Sequence, residues 1–407
     1  MRTFGIQYRK AIPKLRENAF KFIRLSAHYS FSIYSKTNQL PSDWNTLAQN
    51  NIFLHSNYLE VLESAAPANM RCYFIGVFSE TSLIGIALSQ FIDLSAVESF
   101  GDRDSCIKTK IRNVVFKNFS SKVLFIGNNM LTGQNAFVFA KDVIPSDGIR
   151  TLCQAAEDIR KSLKRQDINT HLTVWKDFDG EQSLWFDNAA FGDYFRFQTQ
   201  PNMIFDIRKN WNTFDDYMTT LLKKYRDQYK RARKKSDSLT KRKLPLEEIV
   251  TYQAKIHQLY LTVAQNAPFN TFYLPDNHFV EFKKSLGDQF LFYGYFDNNE
   301  LVGFNTLIKN GCDIDTYFLG YDENCQRDKM LYLNMLYDMI AYSINKGYSR
   351  IIFARTALEI KSSVGAKPAD AYGFIKHSNR IANFFMSRLF RYFEPEMVWQ
   401  ERHPFKD

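Results

Sequence analysis

Two stretches of the chain share one hydrophobic pattern. RCYFIGVFSETSLIGIALSQ (Arg71–Gln90) and QFLFYGYFDNNELVGFNTLIK (Gln289–Lys309) each place two apolar runs around a short polar turn. That pattern predicts an antiparallel hairpin in each. At an offset of 218 the two align without gaps: Phe74 with Phe292, Gly76 with Gly294, Phe78 with Phe296, Leu83 with Leu301 and Gly85 with Gly303. Identities on both arms, with the turn in register, indicate an internal duplication. The elements that follow agree. The first hairpin is succeeded by an apolar strand (Lys122–Asn129), a helix near Ile149–Arg165 and the strand HLTVW (His171–Trp175). The second is succeeded by DIDTYFLGY (Asp313–Tyr321), a helix from about Lys329 to Asn345 ending before Gly347, and RIIFA (Arg350–Ala354). A helix precedes the first hairpin at Leu54–Ala65. Each half therefore reads as an α/β (α+β) unit with a mixed sheet flanked by helices. The divisions expected are a basic extension (1–45), a first domain (46–200) and a second (201–407), which a chain of 407 residues accommodates.

Between the halves lies NTFDDYMTTLLKKYRDQYKRARKK (Asn212–Lys235). It predicts one helix capped by Thr213, with Asp215 and Asp216 in its first turn. Phe214, Tyr217, Met218, Leu221, Leu222, Tyr225, Tyr229 and Ala232 form its apolar face. Lys223, Arg226, Lys230 and Arg233 make a basic stripe, read either as a solvated face or as an anion site.

Charge sharpens this picture. Of the net +10, residues 1–36 carry +7 and residues 221–243 carry +9, leaving a body of −6. Two basic patches on a mildly acidic body favour an acidic partner. Charge without a DNA-binding motif does not argue for DNA. The basic N-terminus, with Leu15, Ala19 and Phe22 on one helical face, suits peripheral membrane contact. No apolar run of about 18 residues and no signal-type N-terminus point to the cytoplasm, with the inner membrane face as a place of contact. Five scattered cysteines form no CxxC pair, and no metal-ligand cluster stands out.

The duplicated order, together with QPNMIFDI (Gln200–Ile207) and the basic helix, GNNMLTGQNAF (Gly127–Phe137) and YFLGYDENCQRDKM…RIIFARTALEIKSSVGAKP (Tyr317–Pro368), resembles the GNAT-related acyltransferases. More narrowly it resembles the double-domain branch that includes the Fem peptidoglycan aminoacyl ligases and bacterial lipid N-acyltransferases. The resemblance covers most of the chain from about residue 50. It implies tandem GNAT-like domains, the first degenerate and the second catalytic. It implies acyl transfer from an acyl-CoA or acyl-carrier-protein thioester to an amine, without a metal. A lipid acceptor of sphingoid or sulfonolipid type is the first expectation. The alternatives are an aminoacyl-tRNA-dependent ligase acting on a cell-wall precursor and a binding protein on the same scaffold. The chain departs from the superfamily at YDENCQRDKM (Tyr321–Met330), where a Gly-rich phosphate loop is expected and no glycine stands.

In such a fold the strands at 313–321 and 350–354 diverge around the donor. FARTALEIKSSVGAKP (Phe353–Pro368) then borders the acceptor, which explains its polar groups. Glu359 is the first candidate base, with His377 as base or acid and Tyr372 as a proton donor to the leaving thiolate. Arg355 and Lys361 are candidates to hold an anionic headgroup. Ser362, Ser363, Tyr225 and Arg226 are candidate substrate contacts, as are Asn128 and Thr132 in the first half.

Overall fold

The computed structural model describes residues 29–49, 51–96, 120–267, 270–386, 388 and 399–406. The basic segment before residue 29 lies outside them.

The first half runs β1 (Ser30–Tyr34), α1 (Trp44–Ala48), α2 (Ser56–Ala65), β2 (Met70–Ser79), β3 (Ser82–Asp93), β4 (Lys122–Ile126), β5 (Phe137–Phe139), α3 (Pro145–Lys164), β6 (Leu172–Phe178), α4 (Gly180–Ser183) and β7 (Phe195–Gln198). The second runs β8 (Asn202–Asp206), α5 (Phe214–Thr220), α6 (Lys223–Lys235), β9 (Leu239–Lys243), α7 (Leu246–Thr251), α8 (Gln253–Gln265), α9 (His278–Leu286), β10 (Phe290–Asp297), β11 (Glu300–Asn310), β12 (Asp313–Tyr321), α10 (Glu323–Lys329), α11 (Leu331–Asn345), β13 (Arg350–Ile352), α12 (Leu358–Ser363), β14 (Lys367–Ala369), β15 (Tyr372–His377) and α13 (Arg380–Phe384). In both halves a crossover helix joins parallel strands, β4 to β6 through α3 and β12 to β13 through α11.

The duplication extends to local irregularities. In the first hairpin Val77 faces Gly85 and Phe78 faces Leu83, so Ile84 is an extra residue. In the second Tyr295 faces Gly303 and Phe296 faces Leu301, so Val302 is extra, again 218 positions on. The shared glycines have a packing cause. A Cβ on Gly76 would stand 3.0 Å from the Phe78 ring and 3.2 Å from Leu83. On Gly294 it would stand 2.9 Å from Phe296 and 3.1 Å from Leu301.

Chain order does not decide sheet membership. The first sheet is ordered β1-β2-β3-β4-β6-β15-β7, with β5 also on β3; the second is β14-β8-β13-β12-β11-β10-β9. Strand β15, from the end of the chain, thus sits between β6 and β7 of the first half. Ser30–Tyr34, read in sequence as the end of an extension, pairs along β2. One apolar core runs from Tyr58, Leu62 and Phe74 to Phe279, Phe282 and Phe304, so the halves share it. His278 stitches that junction. Its Nδ1 lies 2.8 Å from the Ala65 carbonyl and so donates; Nε2, 3.0 Å from Tyr317 Oη, accepts. Burial pushes the ring's pKa down to about 4, which keeps it neutral in this role.

The predicted basic helix is broken. Thr213 caps α5 in a capping box with Asp216, but Leu221 and Leu222 are extended and α6 starts afresh at Lys223. The tail of the chain causes the break: Leu221 bridges Phe405, and the Leu222 amide donates to the Pro404 carbonyl. The expected four-residue stripe therefore does not form. Arg226 folds back onto the Leu221 carbonyl, and Arg233 pairs with Asp338 of α11 at 2.6 Å.

Candidate active site

The second sheet opens between β12 and β13. The two strands pair for three residues only, Asp313–Asp315 against Arg350–Ile352. Beyond that point β12 carries a bulge: Asn305 faces Leu319 and Leu307 faces Thr316, so Tyr317 and Phe318 together oppose Thr306. A bulge bends its strand. Tyr317 is the residue that His278 holds, and His278 is itself bonded to Ala65 of the first half, so the bend is tied to the junction. On the other side Phe353 leaves β12 and bonds to Met203 of β8. The result is a central strand whose residues 316–319 are partly exposed although neighbours flank its start.

The segment leaving β13 holds unusual backbone. Ala354 (φ 61°) and Ala357 (φ 54°) are left-handed, a conformation costly for a residue with a Cβ. Lys361 compensates. Its buried ammonium donates to the Phe353 carbonyl and to that of Ala354 (3.3 Å). No carboxylate pairs with it among the described residues, and burial pushes its pKa down to about 7.

Beside this segment lies a cavity of about 690 Å³ between α6, α12 and the tail. Tyr225, Leu358, Ile360 and Trp399 supply apolar wall; Gln228, Glu359, Ser363 and Arg402 supply polar groups. Gln228 Nε2 donates to Ser363 Oγ and to Tyr337 Oη, both at 3.2 Å. Glu359 is half-exposed at the rim and paired with Arg402, whose Nε lies 3.1 Å from Oε1. Ser362 sits behind the wall, accepting from the Arg402 amide at 3.0 Å.

The structure thus brings Tyr225, Glu359 and Ser363 to one cavity, with Lys361 and Ser362 as its support. It takes other candidates elsewhere. Arg226 turns back to Leu221, as above. Tyr372 lies on β15 in the first sheet, its ring beneath the Arg196 guanidinium at 4.1 Å. His377 is buried at the far end of that strand, opposite Leu172 at the start of β6, where its Nδ1 accepts from the Asn379 amide at 2.9 Å. Both belong to a strand of the first sheet and neither lines the cavity. Asn128 is a buried loop anchor: it donates to Tyr58 Oη (2.7 Å) and accepts from the Met130 amide (3.0 Å). Thr132 is partly buried in the same loop, its carbonyl accepting from Asn135.

That loop closes the first half's own opening. Strand β4 has no bulge against β3 and stops at Ile126. Lys176, on β6, donates to the carbonyls of Asn128 (3.0 Å) and Leu131 (3.2 Å) across the gap. Its ammonium also lies 2.5 Å from Asp177, whose other oxygen pairs with Arg355 of the second half. Arg355 therefore points to a buried carboxylate between the halves rather than into the cavity. Lys176 and Asp177 were not singled out from sequence. Their signal was two adjacent charges inside an otherwise apolar strand, HLTVWKDF. Gln228 and Arg402 carried no comparable signal.

At the loop expected to cradle phosphate, Asp322 caps α10 by accepting from the Cys325 amide at 2.9 Å. A carboxylate covers that helix end where bare amides were needed.

No protein-family model matches the chain, and no curated protein matches it. Solved structures do. FemX is 12% identical and aligns over 89% of this chain and 100% of its own, with a TM-score of 0.51. A tandem GNAT protein from the clavulanic acid biosynthesis pathway is 10% identical over 86% and 99%, with a TM-score of 0.49. L-PGS from Bacillus licheniformis is 12% identical over 83% and 97%, with a TM-score of 0.44. The chain shares the fold of FemX along 89% of its own length.

Proposed function

We propose that the chain is an N-acyltransferase that moves an acyl group from a thioester to the amine of a lipid-like acceptor, of sphingoid or sulfonolipid-base type. One observation carries this reading. The second half keeps an open β12–β13 split beside an apolar-walled cavity, while the first half's split is plugged by Lys176 and its loop. The amine nitrogen attacks the thioester carbonyl carbon, the C–S bond breaks, and the sulfur leaves as a thiolate that takes a proton. Glu359 at the cavity rim accepts the proton that the amine loses, and Arg402 fixes its direction. Gln228, Ser363 and Tyr337 present the polar groups nearest the cavity floor. The carboxylate on α10 disfavours a diphosphate at that helix end, so a carrier-protein thioester fits the donor side better than free acyl-CoA.

The test is thiol release from long-chain acyl-CoA and from acyl-carrier protein, with a panel of amines and mass spectrometry of the products. An amide dependent on one lipid-like amine is expected. Glu359→Gln is expected to lower kcat by about 10²-fold or more at an unchanged melting temperature. Wild-type turnover in that variant would remove Glu359 as the base. The full-length likeness to FemX favours a second reading, aminoacyl transfer from tRNA. Silence with every thioester, and RNase-sensitive transfer from aminoacyl-tRNA, would replace the first reading with the second.

A further inference from the structure

Helix α6 keeps a row of cations that the fold does not use. Lys223, Lys224, Lys230, Arg231, Lys234 and Lys235 are exposed, and none makes a hydrogen bond or ion pair with a described residue. Their spacing (i, i+1, i+7, i+8, i+11, i+12) places them on one face about 18 Å long, at the rise of an α-helix. Asp227 is the single acid on that face. The opposite face is committed to the protein: Tyr225 and Ala232 are buried, and Arg233 is paired with Asp338. One helix thus neutralises the Arg233 cation and leaves six outward ones without a carboxylate partner among the described residues, Lys224 lying 5.7 Å over the Tyr225 ring.

The same helix forms a wall of the cavity. Lys224 and Tyr225 line it at the helix's start, with Trp399 and Arg402 opposite, and Leu222 stands 42% exposed just before them. Cations continue along the surface from there, while apolar groups lead inward. We propose that this face of α6 docks on an anionic lipid bilayer, so that the cavity opens toward the membrane from which its acceptor comes. Two features distinguish a membrane from the other polyanion that a cationic helix fits, RNA. The cations flank an apolar-walled cavity, which suits an acyl chain and has no counterpart in a phosphate backbone. An exposed leucine and a tryptophan also stand where the charged face meets the cavity, as at a bilayer interface. The inference rests on the lipid-acceptor reading for its purpose, but docking and turnover are measured separately.

The experiment is sedimentation of the full chain with phosphatidylcholine vesicles, with and without phosphatidylglycerol. The variant is Lys230→Gln, Arg231→Gln, Lys234→Gln, Lys235→Gln, four positions outside the cavity lining. Residues 1–28 are common to both proteins, so the difference reports α6. Binding is expected only to the anionic vesicles and to weaken with salt. At roughly fivefold per cation, the variant should partition about 10²–10³-fold less. Lys→Arg at 230, 234 and 235 should keep binding, and melting temperatures should agree throughout. Amide formation from a soluble short-chain donor and amine should be unchanged in the variant; failure of that reaction in the wild type would count against the enzyme reading alone. Equal partitioning of variant and wild type would overturn the docking proposal. So would a tighter hold on polyuridylate than on the anionic vesicles, which would assign the face to RNA.

Discussion

Asp177→Ala is expected to lower the melting temperature by about 6 °C or more. The side chain is fully buried between Lys176, at 2.5 Å, and Arg355, which reaches it from the other half. Removing it leaves two cations facing each other in a site with little water. Breaking a buried ion pair from one side costs about 3–5 kcal/mol, because the remaining charge keeps its desolvation penalty and loses its compensation. At roughly 2–4 °C per kcal/mol for halves of this size, that is a large shift. Neutralising all three positions together, as Lys176→Met, Asp177→Asn, Arg355→Met, should recover much of the loss, since no bare charge then stays inside and asparagine tolerates the left-handed φ of 72° at that position. The pair also ties the segment leaving β13 to β6, so the single variant should lose acyl transfer below its melting point. A melting temperature within about 2 °C of wild type would mean that the cluster is hydrated and does not join the halves.

This cluster shows where sequence reasoning stops. The duplication was legible because each hairpin is local: a turn, two apolar arms and a pair of glycines fix it within about 20 residues, and the structure repeats even the bulge at Ile84 and Val302. Strand β12 was legible to its ends, as Asp313-Ile314-Asp315-Thr316 leading into the aromatic and apolar Tyr317–Tyr321. The bulge at Tyr317–Phe318, which opens the candidate site, was not, because it depends on His278 and hence on the other half's Ala65. The same limit hid which sheet His377 and Tyr372 join. Their stretch follows the polar loop in sequence, yet a strand can join any sheet edge whose face it matches, and β15 joins the first. Glu359 and Ser363 could be placed at the cavity because they lie within a turn or two of the β13 exit. The continuous helix over 212–235 failed for another reason. Its apolar spacing was sound, but the tail at Pro404–Phe405 competes for the main chain at Leu221–Leu222, and no pattern within the helix records that.

Lys361→Met is expected to change the pH dependence of stability and to weaken the site together. In the folded chain burial holds the ammonium's pKa near 7, against 10.5 in the unfolded chain. Between those values the unfolded state binds more protons than the folded one. Stability from this group therefore rises with pH from about 7 to about 10.5, by at most about 1.4 kcal/mol per pH unit. The methionine variant lacks this contribution, so the wild-type melting temperature should climb relative to the variant across that window. Asp315 does not confuse the result. Burial raises its pKa to about 7, so the folded state binds the extra proton, and its contribution is present below the ordinary value of 3.8 and lost as pH rises to about 7. The two groups act on opposite sides of neutrality. At the site, methionine leaves the carbonyls of Phe353 and Ala354 without their donor, a cost of about 1–3 kcal/mol placed on the left-handed turn that shapes the cleft. Loss of that clamp should raise KM for the acceptor and lower kcat, because the walls on both sides of the split must hold their positions for the amine to approach the carbonyl. Lys361→Arg should not restore activity, since the planar guanidinium is larger and stays charged where the pocket favours a neutral amine. A variant with the wild-type pH slope in its melting temperature would show that Lys361 is solvated, and unaltered kinetics would detach the β13 exit from the reaction.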